Sequence, residues 1–512
     1  MATGWRPGAR VSSEPVSSPS VFPPSAPAFA PIPLSALLLA VPGSRTRGDP
    51  AISILDVAHD SREVTTGALF FCVPGRTSDG HAYARDALDA GAAALVVERW
   101  LDLPAPQVLV PSVRAAMGPM AAKAFRDPAD SMTVLGVTGT NGKTTVTYLA
   151  EAIARRAGER PGLIGTTGAH IDGAPVPLAR TTPEAPDLHR LLAAMRADGV
   201  GSVAVEVSSH AMDQHRVGGV VFDAAAFTNL SQDHLDYHSS MEDYFAAKAA
   251  LFTEEHASRG LVNVDDPWGR RLLELASIPL TTFSIDARAD LRATDVVASA
   301  SGLAFRVDGL EIGSSLRGRF NASNCLAAIG MARVVGWPDD AIVAGIADVQ
   351  EVPGRVEPID EGQEFMVVVD YAHTPDSIHG VLQATRPLVA GRLIVVFGCG
   401  GDRDRDKRPS MGRAATSSAD LTVITSDNPR SEDPRAIVDA IEPGAVEGGG
   451  PYVIELDRRA AIARALREAR PGDGVVIAGK GHESVQELSD RTVEFDDRVV
   501  AREVLRALLE SS

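Results

Sequence analysis

The chain has 512 residues, 45% of them hydrophobic and 23% charged, with a formal net charge of −18. That length exceeds a single hydrophobic core and implies about three domains, and the composition is that of a globular protein in water. The acidic balance argues against a general nucleic-acid binder, which needs a basic face, and no apolar run reaches the roughly 20 residues that cross a bilayer.

Residues 1–31 are rich in Pro, Ser and Ala and are expected to form a disordered extension. The stretch "PLSALLLAV" has the look of a signal-peptide core, but it starts late, is short and is flanked by prolines, so a short buried helix is the better reading. Next, "GALFFCVPG" reads as a buried strand ending in a Pro-Gly turn, "DGHAYARDALDAGAAALVVE" as helix, Gly and strand, and "PQVLVP" as a further strand. These make residues 32–130 a small α/β domain closed by the turn in "RDPADS". Residues 131–352 open with the strand "MTVLGVTG" and continue with "RPGLIGT", "SVAVEVSS" and "AAAFTNL", each near a helical pattern. That alternation predicts a mainly parallel sheet covered by helices, ending at "ADVQEVPGR", where Pro353 and Gly354 mark a hinge-like break. Residues 353–512 read as a doubly wound, Rossmann-like α/β domain with strands in "FMVVVDYA", "RLIVVFGCGG", "LTVITSDNPR" and "GVVIAGKGHE". Ligands bind at the carboxyl ends of such strands. Asp370 and His373, Arg403, Asp427 and Arg430, and Lys480, His482 and Glu483 are therefore expected along one rim. Cys72, Cys325 and Cys399 stand far apart with no C-x-x-C pair, which disfavours a disulfide scaffold or a zinc site and fits a reducing compartment.

The stretch "LGVTGTNGKTTVTYLAEAI" departs from G-x-x-x-x-G-K-[ST] only at Val137, where the first Gly would stand. What remains, Gly139, Thr140, Asn141, Gly142, Lys143, Thr144 and Thr145, lies between a strand and a helix. Backbone N–H groups there favour phosphate oxygens, with Lys143 on the β/γ-phosphates and the Thr144 hydroxyl on Mg²⁺. The bland alternative is a Gly-rich turn carrying a surface lysine. Glu206 ends an apolar strand, where an acid needs a partner or a metal; a salt-bridged core glutamate is the alternative. His234, Asp236 and His238 do not have zinc-motif spacing. One histidine near Mg²⁺ suits them, with the others capping or packing, and Lys248 by itself reads as a solvated helical lysine.

Together, "GVTGTNGKTT", "EVSSHAMDQHRV", "FTNLSQDHLDYH", "YAHTPDS", "FGCGGDRDRDKRPSMG", "SDNPRSEDP" and "GKGHE" resemble the Mur ligases, in collinear order over about residues 50–500. The resemblance is strongest to the branch that adds 2,6-diaminopimelate to UDP-N-acetylmuramoyl-L-alanyl-D-glutamate in peptidoglycan synthesis. It implies an N-terminal domain for the UDP-sugar, a central ATPase and a C-terminal domain for the amino acid, with ATP-dependent amide formation through an acyl phosphate. It places Thr144 and Glu206 on one Mg²⁺ and His234 on a second. It makes Lys248 a CO₂-derived carbamate, which requires a neutral amine in a desolvated spot. For the UDP-substrate it implies Ser61, Arg76, Thr77, Ser78, Thr181, Thr182, Ser208, Gln214 and Arg216; Arg180 stands where the family often has Asn. For the nucleotide it implies Asn324, Arg355 and Asp370, although an Asn near a helix start otherwise reads as a cap. For meso-diaminopimelate it implies Arg430 of "DNPR", whose fork suits the distal carboxylate, with Asp427, Asn428 and Pro429 in the same loop. Arg403 would take the other carboxylate, and Gly479 and Glu483 would meet the distal ammonium. A cytoplasmic monomer without nucleic-acid partners or stable membrane insertion is expected, its C-terminal domain closing on the ATPase to exclude water. The competing readings are ligation of lysine, ornithine or diaminobutyrate, a folylpolyglutamate-type ligase, and a P-loop switch that forms no bond.

Overall fold

The computed structural model describes residues 30–75, 78–299 and 301–510. Nearly all of the expected extension, and Arg76 and Thr77, lie outside the described residues. The described chain is built on three main sheets. In the first, strands run in the order Arg45–Arg47, Gln107–Leu109, Ala94–Val97, Ala68–Phe71, Asp56–Ala58. All pair in parallel except the edge strand Arg45–Arg47. Ala68–Phe71 and Ala94–Val97 are buried at every position, the mark of strands covered on both faces. The "PLSALLLAV" stretch does form a helix, Leu34–Leu38, with Leu34 and Leu37 in the core.

The second sheet has nine strands. From Pro161–Gly165 through Ser202–Glu206, Thr133–Thr138, Ala224–Phe227, Gly260–Asn263 and Leu280–Ser284 to Leu291–Arg292 they are parallel. Gly168–Ile171 and Ala174–Val176 add an antiparallel hairpin at one edge. Helices Lys143–Arg156, Phe320–Val334 and Asp339–Asp348 cover one face, and Ala185–Ala197, Met241–Ala249 and Pro267–Leu275 the other. An antiparallel three-stranded sheet, Thr294–Ser299, Gly302–Val307 and Leu310–Ser314, was not anticipated. Its signal was present: Asp308-Gly309 is a hairpin turn pair, and Gly302–Val307 alternates buried and exposed along much of its length.

The third sheet runs Glu357–Pro358, Met366–Asp370, Gly474–Ala478, Leu393–Phe397, Leu421–Ile424, Tyr452–Ile454. Beyond the antiparallel first strand all are parallel, so the four expected strand ends are neighbours along one edge. Helices Pro375–Thr385, Lys407–Ser418 and Pro434–Gly448 pack on one face, and Arg458–Glu468 and Asp497–Glu510 on the other. The expected break at Pro353 and Gly354 is a tight turn in which Val352 pairs with Arg355. It sets Arg355 facing the central sheet. All three cysteines are buried and free.

Candidate active site

The phosphate loop leaves the central strand Thr133–Thr138, and its helix starts at Lys143. Gly139 and Gly142 have φ of 143° and 89°, a backbone that side chains rarely adopt. A Cβ on Gly142 would fall on Asn324 Oδ1, and one on Gly139 on Thr228 Oγ1. The loop is clamped by the next strand's exit: Asn141 N–H donates to Asn229 Oδ1 at 2.9 Å, and Thr228 Oγ1 donates to the Asn141 carbonyl at 2.6 Å. Gly142→Ala is therefore expected to weaken ATP binding about tenfold or more, the scale of forcing one L-residue into left-handed backbone. Nucleotide titration should show that loss, while affinity for the sugar nucleotide stays unchanged.

Two lysines converge on this loop. Lys143 Nζ donates to the carbonyls of Gly139 and Thr140, both at 2.9 Å. Lys248 Nζ donates to the same Gly139 carbonyl at 2.8 Å and lies 4.7 Å from the Tyr244 ring centroid. Lys248 is 1% exposed, which corrects its reading as a solvated helical lysine. It lies on the inward face of Met241–Ala249, where Tyr244 precedes it by one turn. Burial, reinforced by Lys143, holds its amine well below the ordinary lysine value. Glu206 is fully buried and has no salt-bridge partner among the described residues: its carboxylate accepts from Thr166 N–H at 2.9 Å and Thr166 Oγ1 at 3.0 Å. His234 stacks edge-on against His210 and Tyr244, and burial pushes its pKa down to about 3, so the ring is neutral. Asp236 is exposed, and His238 packs on Tyr244 with Nε2 3.0 Å from Ser209 Oγ.

A cleft of about 780 Å³ runs from Asn141 and Gly142 past Asn324 to Arg355 and Asp370. Asn324 is no cap: it lies inside Phe320–Val334 and donates to Asn321 Oδ1 at 2.7 Å. Arg355 Nη2 donates to Thr144 Oγ1 at 2.9 Å, the guanidinium lies over Tyr371, and its buried Nε has no hydrogen-bond partner among the described residues. Asp370 accepts from the backbone N–H of Val356 and Ala372, both at 2.7 Å.

Toward the first domain, Arg216 donates to Gln214 Oε1 at 2.8 Å and to the Thr182 carbonyl at 3.2 Å. Thr181 and Thr166 hydroxyls are 3.2 Å apart, Thr182 donates to the Glu206 carbonyl at 2.8 Å, and Ser208 caps Ser209–Asp213. Arg180 pairs with Glu184, which also receives Arg114 of the first domain and Arg216. Ser61 opens a 3-10 turn, and the Ser78 carbonyl accepts from Gly75 N–H at 2.8 Å.

On the third domain's rim, Lys480 donates to Asn428 Oδ1 and Glu483 Oε2, both at 2.9 Å, and Asn428 Nδ2 donates to Glu483 Oε2 at 2.9 Å. Asp427 accepts from Asn428 N–H at 2.6 Å and crowds Gly479, which has no side chain to displace it. Arg430, beside Pro429, has its Nε 2.6 Å from Glu487 Oε2 and donates through Nη1 to the Gly401 carbonyl at 2.9 Å. Its Nη2 has no hydrogen-bond partner among the described residues. Arg403 is exposed and donates to the Asp402 carbonyl at 3.1 Å. Among the described residues the expected ones fall into three groups, one at the loop and cleft, one at the first-domain boundary and one on the rim, while the contacts given above for Ser61, Ser78 and Arg403 are local. Sequence reasoning missed Thr166, Tyr244, Asp233 and Lys407, which touch the first group or join it to the rim; each lay inside or beside a motif, but contact across domains has no local signature.

A cleft that starts at a Gly-rich strand-to-helix loop, carries lysines on that loop's carbonyls and runs past Asn324 to Arg355 and Asp370 defines a nucleotide-binding class of protein. Family models match the chain as Mur ligase family, catalytic domain (residues 53–125), Mur ligase middle domain (137–332) and Mur ligase, glutamate ligase domain (354–481). The chain belongs to the Mur ligase family. Among its curated relatives is a UDP-N-acetylmuramoyl-L-alanyl-D-glutamate--2,6-diaminopimelate ligase from Geobacillus thermodenitrificans, 45% identical over 92% of this chain and 99% of that protein. A ligase of the same name from Streptomyces coelicolor is 45% identical over 90% of this chain and 94% of its own length. A solved structure bearing that name aligns with a TM-score of 0.67 at 33% identity, covering 94% of this chain and all of that one. Mycobacterium tuberculosis folylpolyglutamate synthase shares the fold at 20% identity with a TM-score of 0.59, over 77% of this chain and 94% of that one.

Proposed function

We propose that this chain is an ATP- and Mg²⁺-dependent ligase that joins meso-2,6-diaminopimelate to UDP-N-acetylmuramoyl-L-alanyl-D-glutamate in the cytoplasm. The observation that carries the reading is the likeness to ligases of that name over nine-tenths of the chain, with Arg430 in its "DNPR" loop as the local support. Among the described residues no helix is long and apolar enough to cross a membrane.

The donors available suit Mg²⁺: the Thr144 hydroxyl, a Glu206 carboxylate with neutral partners and a neutral His234 imidazole are compatible with an ion that keeps several waters and few protein ligands. Carbamoylated Lys248 would add an anionic oxygen donor. Bound there, Mg²⁺ supplies neutralisation of the phosphate charge. Lys143 and the Gly139–Thr145 backbone hold the β/γ-phosphates, and Asn324, Arg355 and Asp370 hold the rest of the nucleotide along the cleft. Arg355 exchanges the Thr144 hydroxyl for phosphate oxygen when ATP enters. Gln214, Arg216, Thr181, Thr182 and Ser208, with Ser61, Ser78, Arg76 and Thr77, bind the UDP-substrate and aim its glutamyl carboxylate at the γ-phosphate. That carboxylate attacks to give an acyl phosphate and ADP. The diaminopimelate amine, oriented by Arg403, Asp427, Asn428, Arg430, Gly479 and Glu483, then attacks the acyl carbon and expels phosphate.

Phosphate release from ATP, measured with the UDP-dipeptide and meso-diaminopimelate, L-lysine, L-ornithine or diaminobutyrate in turn, tests this. Release with diaminopimelate alone is the expected result. Release with another diamino acid removes the specificity, and release without either acceptor substrate returns the chain to a nucleotide switch.

A further inference from the structure

Asp233 is a buried carboxylate, 4% exposed, that lies inside the motif "FTNLSQDHLDYH" but has no role in the proposed chemistry. It lies in the segment following the central strand Ala224–Phe227, beside His234, whose Nε2 is 3.4 Å from its Oδ2. Its other contacts come from the third domain. Lys407, at the start of Lys407–Ser418, donates to Asp233 Oδ1 at 2.9 Å, and His373 Nε2 lies 3.3 Å from Oδ2. Next to them Gln232 donates to Asp404 Oδ2 at 3.4 Å. Lys407 is itself buried, at 6% exposure.

The charges explain why a carboxylate is needed there. The central domain already presents Lys143 near Asp233, and the third domain brings Lys407 toward it. Without an anion between, closure would press like charges together in a desolvated space. A buried Lys and Asp are each costly alone and tolerable only when mated, and here the two belong to different domains. Removing Asp233 leaves Lys407 buried without its partner, and removing Lys407 leaves Asp233 to the two histidines alone, unless the domains separate and water returns.

We infer that Asp233 and Lys407 form the ionic contact that positions the third domain over the phosphate loop. They are positioning residues: Asp233 is the counter-charge that lets Lys407 of the third domain approach Lys143 of the central one. The docking stands on geometry alone; its consequence for turnover rests on the ligase reading.

The test uses the full chain with Gln232→Cys and Asp404→Cys and a short bismaleimide that joins them when the domains are docked; the three native cysteines are buried. Lys407→Met or Asp233→Asn should slow cross-linking about tenfold or more, and the double variant should be no slower than either single one, as for two members of one contact. Lys407→Arg, which keeps the charge, should retain most of the parent rate. In the same variants without the added cysteines, kcat should fall about 10²-fold, the scale of misplacing one reactant by an ångström, with KM for ATP nearly unchanged. Parent-like cross-linking in Lys407→Met, losses that add in the double variant, or an Arg variant as slow as Met would each overturn the inference. A parent protein that cross-links in this pattern but never turns over would instead remove the ligase reading and leave the docking contact standing.

Discussion

Lys248→Ala is expected to lose about 10²-fold or more in kcat, the scale of removing one preorganised electrostatic group from a phosphoryl-transfer site, and to recover part of it when acetate or formate is added. The lysine's amine is buried against Tyr244, shares the Gly139 carbonyl with Lys143, and is held well below the ordinary lysine value by desolvation first and Lys143 second. Sign and consequence follow directly: a depressed pKa enlarges the neutral fraction at neutral pH, and only the neutral amine can attack CO₂. A carbamate turns an uncomfortable buried cation into an anion facing Lys143. Rescue by a small carboxylate is the diagnostic part, since such a molecule can replace the anion but not the cation. An alanine variant with parent activity would remove the carbamate, and an inactive one that no carboxylate revives would leave Lys248 as a structural lysine.

The second large effect is expected at Arg430. Arg430→Ala or Arg430→Lys should weaken diaminopimelate use by about 2–4 kcal/mol, the range for depriving a desolvated carboxylate of its charged partner, with much smaller change in KM for ATP. Glu487 at Nε and the Gly401 carbonyl at Nη1 hold the guanidinium on two sides, so the side chain is fixed before the substrate arrives. Its backbone has φ of 50°, a costly conformation for an arginine that turns it back toward Gly401. A lysine could supply the charge but not two parallel N–H bonds from a plane already oriented. Steady-state kinetics with each substrate varied would decide it. Equal losses for ATP and diaminopimelate would mean that Arg430 supports the domain rather than the amino acid.

Much of the layout was legible in the sequence because buried parallel strands write themselves as uninterrupted apolar runs: "ALFF", "LIVVF" and "GVVIA" need no partner to be recognised. The phosphate loop was legible for a similar reason, since its glycines serve local backbone geometry. Lys248 was not. A lysine on the inward face of a short helix has the same letters as one facing water, and only the packing of Tyr244 and the loop carbonyl distinguishes them. The Asp233–Lys407 pair was invisible because its members are 174 residues apart, and neither has a neighbour that predicts the other. The three-stranded antiparallel sheet at 294–314 had readable turn chemistry, but its short strands lie between motifs and carry no functional residues to mark them.

The third domain's rim faces two ways. At one end of four adjoining strands Asp370 and Tyr371 line the nucleotide cleft, and at the other Asp427, Asn428 and Arg430 form a separate polar cluster. With the proposed roles, a lineage could exchange the amino acid it uses by rewriting the far loop alone, leaving the near one untouched. Grafting a whole foreign third domain is a different matter, because the graft must also carry Arg355 and Asp370 in register with the host's phosphate loop. Modularity in this architecture therefore resides in loops rather than in domains, and the covalent boundary near residue 353 is the wrong place to cut.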